Sequence, residues 1–406
     1  MFGSILSGDL PRSRVLSVLL TVIIIALVLG PFLFSGTRAF NTLGMICIFI
    51  IVVASYDLML GYTHIVSFAH TMFFGIGAYG VAMAIGAMGN SFGAIFIGLG
   101  GALLFSAALA VLLGLLSLRV KAIFFALVTL AVAFAFLSLV AQLYHITGGE
   151  DGMRVRVPRE LGPAFRPFDV QFSGFAITGF LGTLFTNPVR AFSDFGGFFY
   201  DVRFTGRTLM YYVVVLITAL TFLGLLRLVN SPFGRVLQAI RENEFRARAL
   251  GYRTVLYRTA VVILSALLAT LAGALFALFN RYVNPENALN FELMIFILLM
   301  CVLGGMGTLY GAILGATVFL LAQNYLQDAL GGLSTYLPDD GLLATLFAPN
   351  HWLLWFGLLF VVSVYFFPTG MVGQLRLNAQ RSANKAVIAM AASDESTTEL
   401  KEKAEQ

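Results

Sequence analysis

The sequence predicts an all-α polytopic membrane protein of about ten transmembrane helices. Three observations carry this. Of the 406 residues, 59% are hydrophobic and 11% are charged, against about 25% charged residues in soluble domains. The apolar residues gather into runs near the roughly 20 residues that a helix needs to cross a bilayer. The basic residues of the short loops alternate from side to side along the chain. A soluble domain, a disordered chain and a disulfide scaffold are excluded, because so little polar surface could not cover a globule in water.

Ten spans follow in order: 15–34, 41–60, 65–88, 93–117, 122–145, 208–229, 255–280, 291–306, 309–327 and 351–367. The first is too long for the apolar core of a signal peptide and no small-residue cleavage site follows it, so it reads as a retained span. The third, eighth and ninth are short or broken by glycine. With a cytoplasmic N-terminus, alternation places Arg12, Arg14, Arg119, Lys121 and the seven arginines from Arg227 to Arg258 inside, with Arg376, Arg381 and Lys385 in the tail. Outside, the short loops hold Arg38 and Arg281. An even number of spans with both termini cytoplasmic satisfies this pattern. Two sets of five spans would have opposite orientation, which is the parity of an inverted repeat.

Residues 1–375 then form one membrane domain. Residues 146–207 form an extracytoplasmic loop, read as a cap with an interfacial helix. Residues 376–406 are a charged cytoplasmic tail expected to be disordered. The net charge of +5 belongs to the cytoplasmic loops and does not point to nucleic acid. Cys47 and Cys301 lie singly in apolar runs, as small core residues do. The spacing holds no metal site and no catalytic triad, and no cofactor is expected.

The most informative segment is 231–251, between the sixth and seventh spans. Ser231 suits a helix N-cap, Pro232 the first helical position, and Gly251 the residue past the end. About five turns of helix between them put Val236, Ala239, Ile240, Ala247 and Leu250 on one face. Phe245 points the other way, among Gln238, Arg241 and Glu242. An apolar face for the membrane domain and an exposed aromatic among arginines describe a docking helix for a cytoplasmic partner. The plainer alternative is a surface helix that only anchors topology.

Polar groups inside or near the spans are few: Asp57, His64, His70 and Glu292. Asp57 and His64 fall near the cytoplasmic edge and Glu292 near the outer edge, where water and capping would satisfy them. His70 lies deeper, with Ser67 one turn before it. Gly75, Gly77 and Gly80 form one small-residue set and Gly304, Gly305, Gly307, Gly311 and Gly315 a second. Such sets permit close helix packing, or they interrupt helices and expose backbone along a path near the midplane. The sparse buried charge counts against a proton-coupled carrier. A membrane enzyme would need a nucleophile or an acid–base pair beside the arginines, where only Glu242 and Glu244 are found.

The segment 231–251 looks like the coupling-helix region of ABC-importer permeases. Gly234-Arg235, Ala239-Ile240-Arg241-Glu242-Asn243-Glu244 and Ala249-Leu250-Gly251 resemble the LivH/LivM family of branched-chain amino acid permeases. Gly61–Tyr79, Thr147–Gly152, Leu303–Ala312 and Pro368–Met371 are similar to its other blocks, in family order over about 41–375, and lean towards LivM. The family often has glycine where this chain has His64 and Ala69, and leucine where it has Phe68.

The resemblance implies a non-enzymatic permease subunit in the bacterial inner membrane, surrounded by lipid. It implies a homologous LivH-like permease, two ATPase subunits and an extracytoplasmic solute-binding protein as partners. No lysine follows a glycine anywhere in the chain, so a Walker A loop is absent and ATP hydrolysis must lie in other subunits. Arg235, Ile240, Arg241, Glu242, Asn243, Glu244, Phe245, Ala249 and Gly251 would form the ATPase-coupling helix. Ser67, His70, Gly75, Gly77, Gly304, Gly305 and Gly307 are candidates for the translocation path. Branched-chain or other amino acids are the expected substrates, with urea or short amides as an alternative and an ion-coupled carrier as the rival class.

Overall fold

A computed structural model describes residues 14–34, 36–116, 122–166, 171–175, 199–334, 348–366 and 370–375. Each of the ten apolar runs forms a helix. These are α1 (Arg14–Val28), α2 (Thr37–Thr63), α3 (His70–Met88), α4 (Phe92–Leu116), α5 (Ala122–Gln142) and α6 (Gly206–Val229). After two short helices, α7 (Pro232–Glu242) and α8 (Glu244–Ala249), come α9 (Thr254–Asn280), α10 (Phe291–Gly304), α11 (Leu309–Ser334) and α12 (Trp352–Phe366). Eight are long and apolar enough to cross a membrane, α10 together with the helical turn at Pro285–Ala288 that precedes it. The first and tenth fall short, at 15 residues each. The third span begins at His70 rather than residue 65. His64 stops α2 in the left-handed conformation (φ 54°), and the chain runs as a non-helical link to α3.

Helix α2 is the axis of the fold. Its 27 residues are apolar all round, and it is buried from Thr42 to Thr63 almost without interruption. That is the pattern of a helix surrounded by other helices. Helices α6, α9, α10 and α11 pack around it, and α9 packs in turn on α3 and α4. In lipid, close approach must come from small residues and hydroxyls rather than from apolar burial. The α3–α9 seam shows this. A Cβ on Gly77 would overlap the Thr270 carbonyl oxygen, and one on Gly273 would overlap that of Phe74. On its other faces α9 uses hydroxyls: Thr270 meets Ser106 of α4 at 2.6 Å, and Ser265 donates to the Ser55 carbonyl of α2 at 2.5 Å. Gly77→Val is therefore expected to push α3 off α9 and cost about 3 kcal/mol or more. Folded yield and melting temperature of the purified protein check this.

The outer faces of α4 and α5 are different. Leu104 and Ile123 are each 76% exposed, as suits helices that face lipid or a partner. The expectation of a cap with an interfacial helix over 146–207 falls largely on residues 167–170 and 176–198, outside the described residues. The described parts of the segment hold short helical turns and strands. β1 (Met153–Arg154) pairs antiparallel with β4 (Tyr282–Val283), and β2 (Gln171–Phe175) with β3 (Phe199–Arg203). Residues 176–198, the basic groups Arg12, Arg119 and Lys121, Pro368 and Thr369, and the tail from 376 lie outside the described residues.

Candidate functional site

The expected single helix over 231–251 is two helices. Asn243 breaks it with an extended backbone (φ −159°, ψ 100°), closing α7 and capping α8 by accepting from the Arg246 N–H at 2.9 Å. Asn is a favoured N-cap and competes with the helical backbone, so the residue itself carried the signal. The ends are as expected. Ser231 caps α7 through the Gly234 N–H, with Pro232 in the first position. Gly251 (φ 89°) closes α8, its N–H bonding Arg248 O and that of Tyr252 bonding Ala247 O, which is a Schellman turn.

The break changes which side chains face the membrane domain. Val236, Ile240 and Ala247 are buried as expected, and they pack with Tyr257 of α9. Leu237, which the helical phase did not select, is fully buried in the main core. Leu250 is 70% exposed, because the kink rotates the second half. Phe245 is 83% exposed and stands beside Arg246, with Leu250 further along the same short element. Arg241 does not join it. Its Nε donates to His64 Nε2 at 3.3 Å across the end of α2, and its guanidinium lies over Gly307.

Gly307 is the centre of the junction beneath the helix pair. It sits in the link between α10 and α11 with φ 78°, a conformation glycine adopts without cost. Its N–H donates to Asp57 Oδ1 at 2.7 Å, and the Cys301 thiol lies 3.5 Å from the same oxygen. Asp57 is 1% exposed, which corrects the expectation of a water-reached edge residue. The link approaches so closely because α2 carries Gly61 there. A Cβ at Gly61 would overlap both Asp57 Oδ1 and the Gly307 N–H. Gly370 lies against Gly305 on the far side. The end of α2, the α10–α11 link and α7 thus meet at one point, which no spacing in the sequence announces.

Helix α8 is fastened separately. Glu244 accepts from Arg248 and, at 3.1 Å, from Arg258 of α9; Thr254 donates to it at 3.3 Å. Burial alone would raise the Glu244 carboxyl, but the Arg248 hydrogen bond and the Arg258 and Arg248 charges outweigh it and hold the group below its ordinary 4.5. A depressed carboxylate contributes stability above its unfolded pKa and loses it as pH falls through the folded one. The fastening should thus persist at neutral pH and release below pH 4.5. Glu244→Gln is expected to cost roughly 1–3 kcal/mol at pH 7 by stripping charge-assisted bonds from Arg258. The difference should vanish in melting curves taken in acid.

His64 behaves with the same sign. Partial burial, then the Arg241 cation, holds its imidazole below 6.5. Protonation opposes the Arg241 contact, so the contact contributes above pH 6.5 and is lost as pH falls towards the lowered value. A melting temperature that drops on acidification from pH 7, and a His64→Gln variant that does not share the drop, are the expected results.

The second candidate set is placed as follows. His70 Nε2 pairs with Ser55 Oγ at 2.9 Å, not with Ser67, whose Oγ accepts from the Ala69 N–H at 3.3 Å. The spacing suggested Ser67 as neighbour, but His70 opens α3 and turns towards α2. Gly75 faces Leu289, Gly77 faces α9, and Gly304 faces the Gly311 carbonyl. Gly77 and Gly304 mark close helix crossings, and Gly75 makes room for the Leu289 side chain in the turn before α10. Among the described residues no group of three His, Cys, Asp or Glu could hold a metal.

Residues 38–364 match the family model described as the permease component of branched-chain amino acid transport systems. The chain is 31% identical over 325 residues to the high-affinity branched-chain amino acid transport system permease protein LivM of Escherichia coli, covering 80% of this chain and 71% of that protein. It is 30% identical to the LivM of Salmonella typhimurium over the same shares. A stretch of 116 residues, 27% of this chain and 31% of the relative, is 36% identical to the autoinducer 2 import system permease protein LsrC of Yersinia pseudotuberculosis. No solved structure matches the chain.

Proposed function

Since the chain belongs to the branched-chain amino acid transport permease family, we propose that it forms half of an amino acid translocation path driven by ATPase subunits docked on α7 and α8. The family is a transport component and not an enzyme, and the chain is a multi-pass membrane protein. A Liv-type permease implies partner ATPases and a binding protein. In our reading a second, LivH-like permease completes the path, a solute-binding protein delivers the substrate outside, and the assembly sits in the bacterial inner membrane. Residues 1–375 act as one domain, with 146–207 outside, the helix pair 231–251 inside, and 376–406 a cytoplasmic tail.

The observation that carries this reading is the helix pair itself. It offers Phe245 outward and is tied inward at two points, Arg241 to the α2 end and Glu244 to α9. Force applied at α8 would reach two helices of the core as a rigid-body movement. Ser67, His70, Gly75, Gly77, Gly304, Gly305 and Gly307 lie at seams between helices that such rocking would open. Both termini are cytoplasmic in this reading, and the spans form an inverted repeat of five and five. Helices α2 and α9, second and seventh in span order, both have 27 residues and both end at a non-glycine residue with positive φ, His64 and Arg281. α2 packs on α11 as α9 does on α4, and α3 on α4 as α10 does on α11. Each pair is five spans from its counterpart, which supports the repeat.

The test is reconstitution. Vesicles holding the two permeases and the ATPases should take up leucine only with ATP inside and loaded binding protein outside. Uptake that persists on an ion gradient after the ATPases are stripped away would overturn the assignment.

A further inference from the structure

The end of the molecule opposite the helix pair holds two adjoining cavities that the coupling site does not use. One, of about 400 Å³, is walled by Arg38, Arg207 and Arg281. The other, of about 440 Å³, is walled by Glu286 and Glu292 and floored by aromatic and aliphatic side chains, among them Phe49, Phe276, Phe296 and Leu320. Both are lined by Met45, Asn280 and Asn324, so they adjoin and together offer two chemical ends. Each has the size of a small-molecule site.

The charges at the two ends are not spent on each other. Arg38 is paired, to Asp328 at 2.5 Å. Arg207 bonds the Asn41 side-chain oxygen and lies over the Phe40 ring, and Arg281 donates to the Leu161 carbonyl at 2.8 Å. Among the described residues neither has a carboxylate within ion-pair distance. Both are half-buried, and burial and the neighbouring Arg207 hold the Arg281 guanidinium below its ordinary value. Two like charges, partly out of water and in each other's field, are stabilised by an anion between them. Glu286 and Glu292 likewise have no cationic partner among the described residues. Opposite charges held apart across an apolar floor are complementary to a zwitterion that carries an apolar group.

We propose that this space is a binding vestibule for a free α-amino acid with an apolar side chain, its carboxylate received by Arg207 and Arg281, its ammonium by Glu286 and Glu292, and its side chain by the Phe and Leu floor. The proposal deepens the importer reading and rests on it: the vestibule takes substrate from the binding protein at the outer end of the path.

The test is equilibrium binding of radiolabelled ligands to the purified permease–ATPase complex, without binding protein. Three probes separate the ends: leucine, leucinamide without the carboxylate, and 4-methylpentanoate without the ammonium. Arg207→Gln with Arg281→Gln is expected to weaken leucine and 4-methylpentanoate tenfold or more and leave leucinamide unchanged. Glu286→Gln with Glu292→Gln is expected to weaken leucine and leucinamide and spare 4-methylpentanoate. Both arginines also hold structural bonds, so the double Lys variant is the control, and it should recover most leucine binding. Equal loss of all three probes, or unchanged leucine binding in both Gln pairs, overturns the vestibule. So does a loss confined to capture of the binding protein, which would assign the arginines to protein docking. ATP-driven uptake by the wild-type assembly is measured alongside. Uptake present with indifferent binding overturns the vestibule alone, and probe-selective binding with no ATP-dependent uptake supports the vestibule while overturning the importer reading.

Discussion

Phe245→Asp is expected to release the ATPase subunits from the purified complex while leaving the permease folded. Phe245 is 83% exposed on a short helix beside Glu244, Arg246 and Arg248, so the folded chain loses almost no packing when it is replaced. A partner that closes over the ring loses all of its burial and must also desolvate a carboxylate. Interface anchors of this kind are worth about 2 kcal/mol or more, which is at least a thirtyfold fall in affinity. Co-purification at increasing salt, beside a melting curve of the permease alone, measures both sides. Retained ATPase with an unchanged melting temperature would remove Phe245 from the interface. Arg241 lies apart from this face, its side chain turned to the α2 end.

Arg241→Ala is expected to have the opposite signature. The ATPases should stay bound and hydrolyse ATP, but uptake per ATP should fall tenfold or more. The substitution removes the tie from α7 to His64 and the guanidinium that covers Gly307. The Phe245 face is not touched. Gly61→Val is a second probe of the same junction. Its side chain would overlap Asp57 Oδ1 and the Gly307 N–H and drive the α10–α11 link away from α2. Overpacking of a buried contact costs roughly 1–3 kcal/mol, more where the obstacle is backbone. Uptake and hydrolysis falling together in Arg241→Ala, with ATPase retained, would show that force does not pass through this junction.

Some of the site is legible in the sequence. Ser231, Pro232 and Gly251 mark helix ends by local rules, and the structure has them as caps. The buried Val236, Ile240 and Ala247 follow from helical phase. Leu250 departs from that phase because one Asn in extended conformation resets it, and the competition between an Asn cap and a continuing helix is settled by what the second half packs on. Arg258 was not associated with Glu244, fourteen residues away, because only the turn between α8 and α9 brings them together. Asp57 looked like an edge residue because hydropathy measures distance from a run's end, not whether a loop 250 residues later folds over it.

The ten apolar runs, their order and the polarity of their loops were thus set by the sequence alone. The bilayer imposes a minimum length, and composition either meets it or does not. What the tertiary structure decided is which ends meet. In lipid the apolar effect does not choose between one helix face and another, so pairing depends on small steric permissions and single hydrogen bonds. Gly77 against Thr270, Gly61 beneath Gly307 and Arg241 on His64 are such terms. In the coupling we propose, they would set how a push on α8 is carried to α2 and α9, and they leave no periodic trace in the chain.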